Sequence, residues 1–465
     1  MSIQPLLERT ARHAAAFVNS LDARRIAPAA GLDDLRAALG RPLEDGPMAA
    51  EQVIEDLVRD AGAGIMASGS GRFFGWVIGG ALPAALAADW LTAAWDQNAA
   101  SYACSPAEAV VEEVCGAWLK DLLGLAEGAS FGLVTGCQLA HVTALAAARH
   151  QLLAARGVDV EREGLAGTPP IRLLTTEQRH GSLVRAVRLL GLGDRAIEIV
   201  PHDRGGRMDP TGVRDALGQR PEAPAIVCLQ AGDINTGIFD PFADVIPCAH
   251  EAGAWVHVDG AFGLWAAASE RYRHLLAGAE HADSWATDAH KWLNVPFDCG
   301  LVFCAHPLAH AAGLAIDEGY LVAPEGDARD QKSWNPEWSR RGRGFAVYAA
   351  IRSLGRQGIA EIVDRCCRCA GRLVAEIGVL PGVEVLAEPV LNQGLVRFLD
   401  PAGDHDGRTD EVIRLIQAAG VAWFGPTTWH GSRAMRISVV NWRTSDSDVD
   451  RTIASVRAAL DSVPA

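Results

Sequence analysis

Basic charge is in deficit in this chain of 465 residues: 42 Lys and Arg face 57 Asp and Glu, a net charge of −15. Such an acidic surface repels phosphate backbones and anionic lipid, which argues against nucleic acid or a membrane surface as partner. No stretch approaches the roughly 18 uncharged apolar residues that a membrane-spanning helix needs. The opening Met1-Ser-Ile-Gln-Pro5 has no basic cluster followed by an apolar core, so no secretory signal is expected there. Cysteine is dilute, ten in the whole chain, and shows no framework spacing, which points to the cytoplasm. Cys366, Cys367 and Cys369 form a cluster without a CxxC pair or an evident fourth ligand, so packing is expected there and no metal site is assigned. No G-x-G-x-x-G opens a first helix, which argues against a dinucleotide-binding enzyme. Internal repeats and low-complexity segments are also missing.

What the sequence does have is core material, with 49% apolar and 21% charged residues. That is globular composition, and the length suggests two or three units. Residues 1–95 read as helical, with apolar spacing over Leu32–Leu39 and Ala50–Ala61, a break at Gly69–Gly75, and a nearly all-apolar helix Ala81–Trp95 that must be buried against something. Residues 96–344 alternate short apolar strands (172–174, 197–200, 225–229, 255–258, 301–304) with helices. This predicts an α/β domain with a mostly parallel sheet covered on both faces and a ligand site at the strands' carboxyl ends. Residues 345–465 read as a smaller α+β domain whose first helix breaks between Gly355 and Gly358. The polar stretch Tyr320–Pro336 is expected to be a mobile loop.

The polar residues fall at those carboxyl ends. Asp259 closes the apolar run Trp255-Val-His-Val, and Lys291 follows His290 just before another buried strand. Singly, Asp259 reads equally as a helix cap and Lys291 as a solvated loop residue. Together they suggest more, because a buried carboxylate needs a cation beside it and a buried lysine needs a lowered pKa or a covalent bond. Pyridoxal phosphate satisfies both, with an aldehyde for the lysine and a pyridine nitrogen for the aspartate. Its phosphate would find free amides where Thr135 and Gly136 precede a helix, and the ring of His180 could stack on the pyridine.

The combination resembles the group II pyridoxal-phosphate-dependent amino-acid decarboxylases, the family of the aromatic amino-acid and glutamate decarboxylases. The likeness runs from about Arg72-Phe-Phe-Gly75 to Asn441 and rests on His257-Val-Asp-Gly-Ala261, His290-Lys-Trp292 and Gln178-Arg-His-Gly-Ser182. It implies a fold type I enzyme with a central sheet of the seven-stranded, mostly parallel type. It also implies that Lys291 holds the cofactor as an aldimine, that Asp259 keeps the pyridine protonated, and that His180 and Ala261 pack the two ring faces. Gly136, Cys137 and Gln138, aided by His290, would cradle the phosphate. The implied assembly is a homodimer with residues 1–95 wrapping the partner. The sequence departs from its relatives at Cys137 and Gln138, at Gly232-Asp-Ile234 in place of Gly-Thr-Thr, and at Trp334 where many carry a tyrosine that protonates the substrate carbon. Tyr320 on the same loop is a second candidate for that proton.

The expected reaction is decarboxylation of an L-amino acid through a quinonoid. Three alternatives stand beside it: capture of that intermediate by O₂ with aldehyde release, cleavage of a C–C or C–X bond in the substrate's side group without loss of CO₂, and a non-catalytic homologue. Phe73, Phe74, Trp76, Phe297 and Trp429 could line the substrate pocket, and Arg72, Arg436 or Arg443 could meet a carboxylate.

Overall fold

The structure is a computed structural model describing residues 2–316, 326 and 328–463. Its main sheet has seven strands: β1 (Ser130–Val134), β2 (Arg172–Thr175), β3 (Ile197–Ile199), β4 (Ala225–Gln230), β5 (Trp255–Asp259), β6 (Ser284–Asp288) and β7 (Gly300–Cys304). Their order is β1-β7-β6-β5-β4-β2-β3. The pairs from β6 through β5, β4 and β2 to β3 are parallel, and only β7 runs against both its neighbours. Every residue of β1, β4, β5, β6 and β7 is buried, as continuous apolar strands between two helical layers must be. The sequence pattern located five of these strands. It missed β1 and β6, whose Ser, Gly, Thr and Asp residues interrupt the apolar run.

A second, antiparallel sheet consists of β8 (Val383–Ala387), β9 (Gln393–Phe398), β10 (Gly425–Trp429) and β11 (Ser432–Ser438), in the order β10-β11-β9-β8. β10 was not anticipated; it is an edge strand, the position in a sheet that tolerates a residue such as Pro426. The helix Gly344–Gly378 links the sheets and is interrupted at Gly355 (φ 59°), within the expected break. Cys366, Cys367 and Cys369 are buried in its core-facing side.

The helix Pro83–Trp95 packs on the helix Gly344–Gly378 and leaves Trp90, Leu91 and Trp95 between 44 and 49% exposed in a single copy, the apolar side that the sequence expects a partner to cover. One expectation needs correction. The second half of the supposed mobile loop is docked, because Asp330, Gln331 and Asn335 are buried and Asp330 accepts the Tyr102 amide at 2.9 Å. Nearby, the fully buried pair Arg340–Glu112 (2.6 Å) ties that segment to the helix Pro106–Leu123.

Candidate active site

Strands β1, β2, β4, β5 and β6 all deliver residues to one cavity of about 290 Å³ at their carboxyl ends. β5 ends on Asp259, and Asp288 at the end of β6 is followed by Ala289, His290 and Lys291. β1 turns through Thr135 and Gly136 into the helix Cys137–Ala154. β7 passes flush beneath this turn: a Cβ on Gly300 would lie 2.4 Å from the Gly136 backbone. Asn294 fixes the segment after Lys291. Its Oδ1 accepts the amides of Gly80 (2.7 Å) and Trp442 (3.0 Å), so the N-terminal segment and the small domain both hold the lysine turn.

Lys291 does not have the lowered pKa expected of a buried lysine. Burial works in that direction, but Asp288 Oδ2 lies 2.9 Å from Nζ and the net effect is upward. Sequence reasoning missed Asp288; its one signal was a position three residues before Lys291 at a strand end. Asp288 Oδ1 also accepts the Cys137 amide at 2.6 Å, so that amide is already engaged.

Asp259 is almost entirely buried, which by itself would raise its pKa. His141 at 3.4 Å, His180 and the Ala261 amide (3.1 Å) outweigh burial and hold it well below the usual carboxylate range. The group is therefore an anion facing a cavity. His180 caps the helix Gly181–Leu189, where its Nδ1 accepts the Ser182 amide (3.2 Å), leaving the neutral ring protonated on Nε2. His290 Nδ1 accepts the Cys299 amide (3.2 Å), so its Nε2–H is the end turned toward Asp288, 3.7 Å away. Cys137, His141 and Asp259 bring ligand atoms within 4.8 Å of one another, but burial and Asp259 push the Cys137 thiol up, keeping it protonated.

Gly136, Cys137, Gln138, His180, Asp259, Ala261, His290 and Lys291 all line the cavity, joined by Ser182, Gln230, Phe262 and Asp288, which sequence reasoning did not single out. Thr135 is not among the described residues of the wall. Neither is Trp334, which packs edge-on against His310 (5.4 Å) while its carbonyl accepts from His310 Nε2 (2.9 Å). Tyr320 lies outside the described residues. Asp233 turns away from the cavity to bind the amides of Asn235 and Thr236, so Gly232 and Ile234 form the wall where a hydroxyl was missing.

Among the five aromatic candidates, Phe74 stacks in the core on Phe424, Phe73 and Trp76 stack on Trp423, and Trp429 is buried beside His430. Phe297 touches the site through His290, at 4.4 Å. Arg72 is a structural clamp that donates to backbone carbonyls of Asp22, Arg24 and Val421. Arg443 lies over Trp442. Arg436 is different: it is buried, donates to the carbonyl of the wall residue Ile234 at 3.2 Å, and its Nε has no partner among the described residues.

A lysine amine, a deeply ionised aspartate, an imidazole at the rim and a helix start share one cavity, and these residues fit pyridoxal phosphate. The comparisons agree. The family model "Pyridoxal-dependent decarboxylase conserved domain" matches residues 33–399. An aromatic-L-amino-acid decarboxylase of Sus scrofa is 26% identical over 450 residues, 93% of this chain and 91% of that protein. A phenylacetaldehyde synthase of Petunia hybrida is 26% identical over 337 residues, 69% of this chain and 65% of that protein. The crystal structure of Oryza sativa TDC with PLP and tryptamine superposes with a TM-score of 0.92 at 21% identity, over 99% of this chain and 97% of that one. The chain belongs to the pyridoxal-dependent decarboxylase family, and its fold is that of these pyridoxal-phosphate carboxy-lyases.

Proposed function

We propose that the protein decarboxylates an L-amino acid with pyridoxal phosphate, as a homodimer in the cytoplasm. The observation that carries this reading is the pairing, within one cavity, of the Lys291 amine with an Asp259 carboxylate held as an anion. When bound, the cofactor supplies an electron sink for the pair left behind by CO₂.

The protein's own residues do the rest. Lys291 offers the amine that bonds the aldehyde, and Asp288 holds a proton on Nζ until then. Asp259 would hold a proton on the pyridine nitrogen. His180 and Ala261 would pack the ring faces, while the Gly136–Gln138 turn, with the Cys137 amide kept by Asp288, and the His290 Nε2–H would receive the phosphate. Arg436, whose Nε has no partner among the described residues, would hold a substrate carboxylate at the Ile234 wall. The exposed row Trp90, Leu91, Trp95 supports the dimer, and ten free cysteines support a reducing compartment. Residues 1–95 would then be the dimerisation segment, 96–344 the cofactor domain and 345–465 the small domain.

Borohydride reduction of cofactor-loaded protein tests the assignment: label should be fixed on the Lys291 peptide and be absent in Lys291→Ala. A product assay across the common amino acids should then find CO₂ with a matching amine. A second outcome, aldehyde and peroxide instead of amine, is favoured by the likeness to the Petunia phenylacetaldehyde synthase. If Trp334 governs that choice, Trp334→Tyr raises the amine-to-aldehyde ratio; an unchanged ratio removes it from consideration.

A further inference from the structure

Behind Asp259 lies a line of buried polar side chains that none of these roles uses. His141 comes four residues after Cys137, so both occupy the face of the helix Cys137–Ala154 that covers β5. His257 precedes Asp259 by two residues and points to the same side of β5. His141 Nε2 is 3.4 Å from Asp259 Oδ2, and its Nδ1 is 2.9 Å from His257 Nε2. His257 Nδ1 is in turn 2.9 Å from Ser284 Oγ on β6, which accepts the Trp255 indole N–H at 2.9 Å. His141, His257 and Ser284 have no solvent exposure at all.

An indole only donates and a carboxylate only accepts. Ser284 receives from Trp255 and, in the arrangement that ends in a donor to Asp259, passes its own hydrogen to His257 Nδ1. His257 then carries its hydrogen on Nε2 and gives it to His141 Nδ1, which leaves the His141 Nε2–H aimed at Asp259. The His257 ring is neutral in this arrangement, its pKa pushed down to about 3 by burial. Cys137 Sγ, 3.5 Å from His141 Nε2 and 3.8 Å from Asp259 Oδ1, is the other polar group at the junction.

We propose that His141 is a positioning residue for the cofactor: the one-way relay Trp255–Ser284–His257–His141 ends in a donor that keeps Asp259 ionised and fixed opposite the pyridine nitrogen. The proposal rests on Asp259 facing that nitrogen. Its chemistry is a carboxylate with an N–H donor held beside it at 3.4 Å, worth about tenfold in an equilibrium that depends on the charge.

Two readouts test it. Nitrogen NMR of histidine-labelled, cofactor-free protein should show His257 neutral and both rings protonated on Nε2; a His141 that carries its proton on Nδ1 instead would overturn the relay without reference to any cofactor. The dissociation constant and visible spectrum of pyridoxal phosphate are then compared in His141→Leu, His141→Gln and Asp259→Asn. His141→Leu should weaken binding about tenfold and shift the spectrum toward the unprotonated pyridine. His141→Gln, which restores a donor, should recover most of both. A His141→Leu protein with native affinity and spectrum, alongside a perturbed Asp259→Asn, sinks the role of His141. An unperturbed Asp259→Asn instead shows that the placement of Asp259 at the pyridine is the error.

Discussion

Asp288→Asn should make Lys291 more reactive at neutral pH. In the folded protein the two side chains are 2.9 Å apart, and Asp288 raises the lysine pKa against the opposing effect of burial. At an effective dielectric near 20, unit charges at that separation attract by about 6 kcal/mol. Measured shifts from a single close partner come to about 1–3 units once solvation and relaxation are included. The amide removes the charge but keeps an oxygen for the Cys137 amide, so the cap on the helix Cys137–Ala154 survives. With the partner neutral, burial is opposed only by weaker influences, the Asp259 carboxylate among them, and the Lys291 pKa falls. The free amine fraction at neutral pH should then grow about tenfold per unit. The assay is the rate at which cofactor-free protein takes up a borohydride-fixable aldehyde on Lys291 across a pH series. Pyridoxal serves alongside pyridoxal phosphate, because losing a carboxylate near the phosphate cradle would by itself favour the phosphorylated form. The rising limb should move to lower pH for both aldehydes. A limb that stays in place would refute the view that Asp288 holds the proton on Nζ.

Arg436→Lys should raise KM by about tenfold or more with a smaller effect on kcat, since an ammonium cannot reproduce the guanidinium fork; steady-state kinetics separates the two. Acid should weaken the fold through His310 and His257, whose pKa values burial pushes down to about 4 and about 3. Both lie below the unfolded value, so their stabilisation is complete above about pH 6.5 and is lost as pH falls toward those values, roughly 2 kcal/mol each by about pH 5. His310→Gln should flatten that slope in thermal melts, and an unchanged slope would count against it. Trp90→Glu with Trp95→Glu should turn a homodimer into monomers in sedimentation, because two half-exposed indoles are the largest apolar groups on that face; a dimer unaffected by both charges would move the interface elsewhere.

The sequence by itself determined the α/β class, five of the seven main-sheet strands and the break near Gly355, and it singled out Lys291 and Asp259, which the structure brings to one cavity. These are local facts: continuous apolar runs mark buried strands, and a charged residue at the end of such a run stands out against it. The structure alone decided which strand ends meet. Asp288 pairs with Lys291 because the backbone after β6 turns back on its own end, and His141 reaches Asp259 because the helix after β1 lies across β5. Residues 141 and 259, or 234 and 436, carry no shared periodicity that would announce their contact. Exposure was equally beyond the pattern. The apolar helix Pro83–Trp95 needed a cover, whether domain or partner; the structure packs it on the helix Gly344–Gly378 and turns Trp90 and Trp95 outward. Hydrophobic periodicity records how many apolar faces a helix has, while the strand order and the long-range packing decide which of those faces a single copy of the protein can cover.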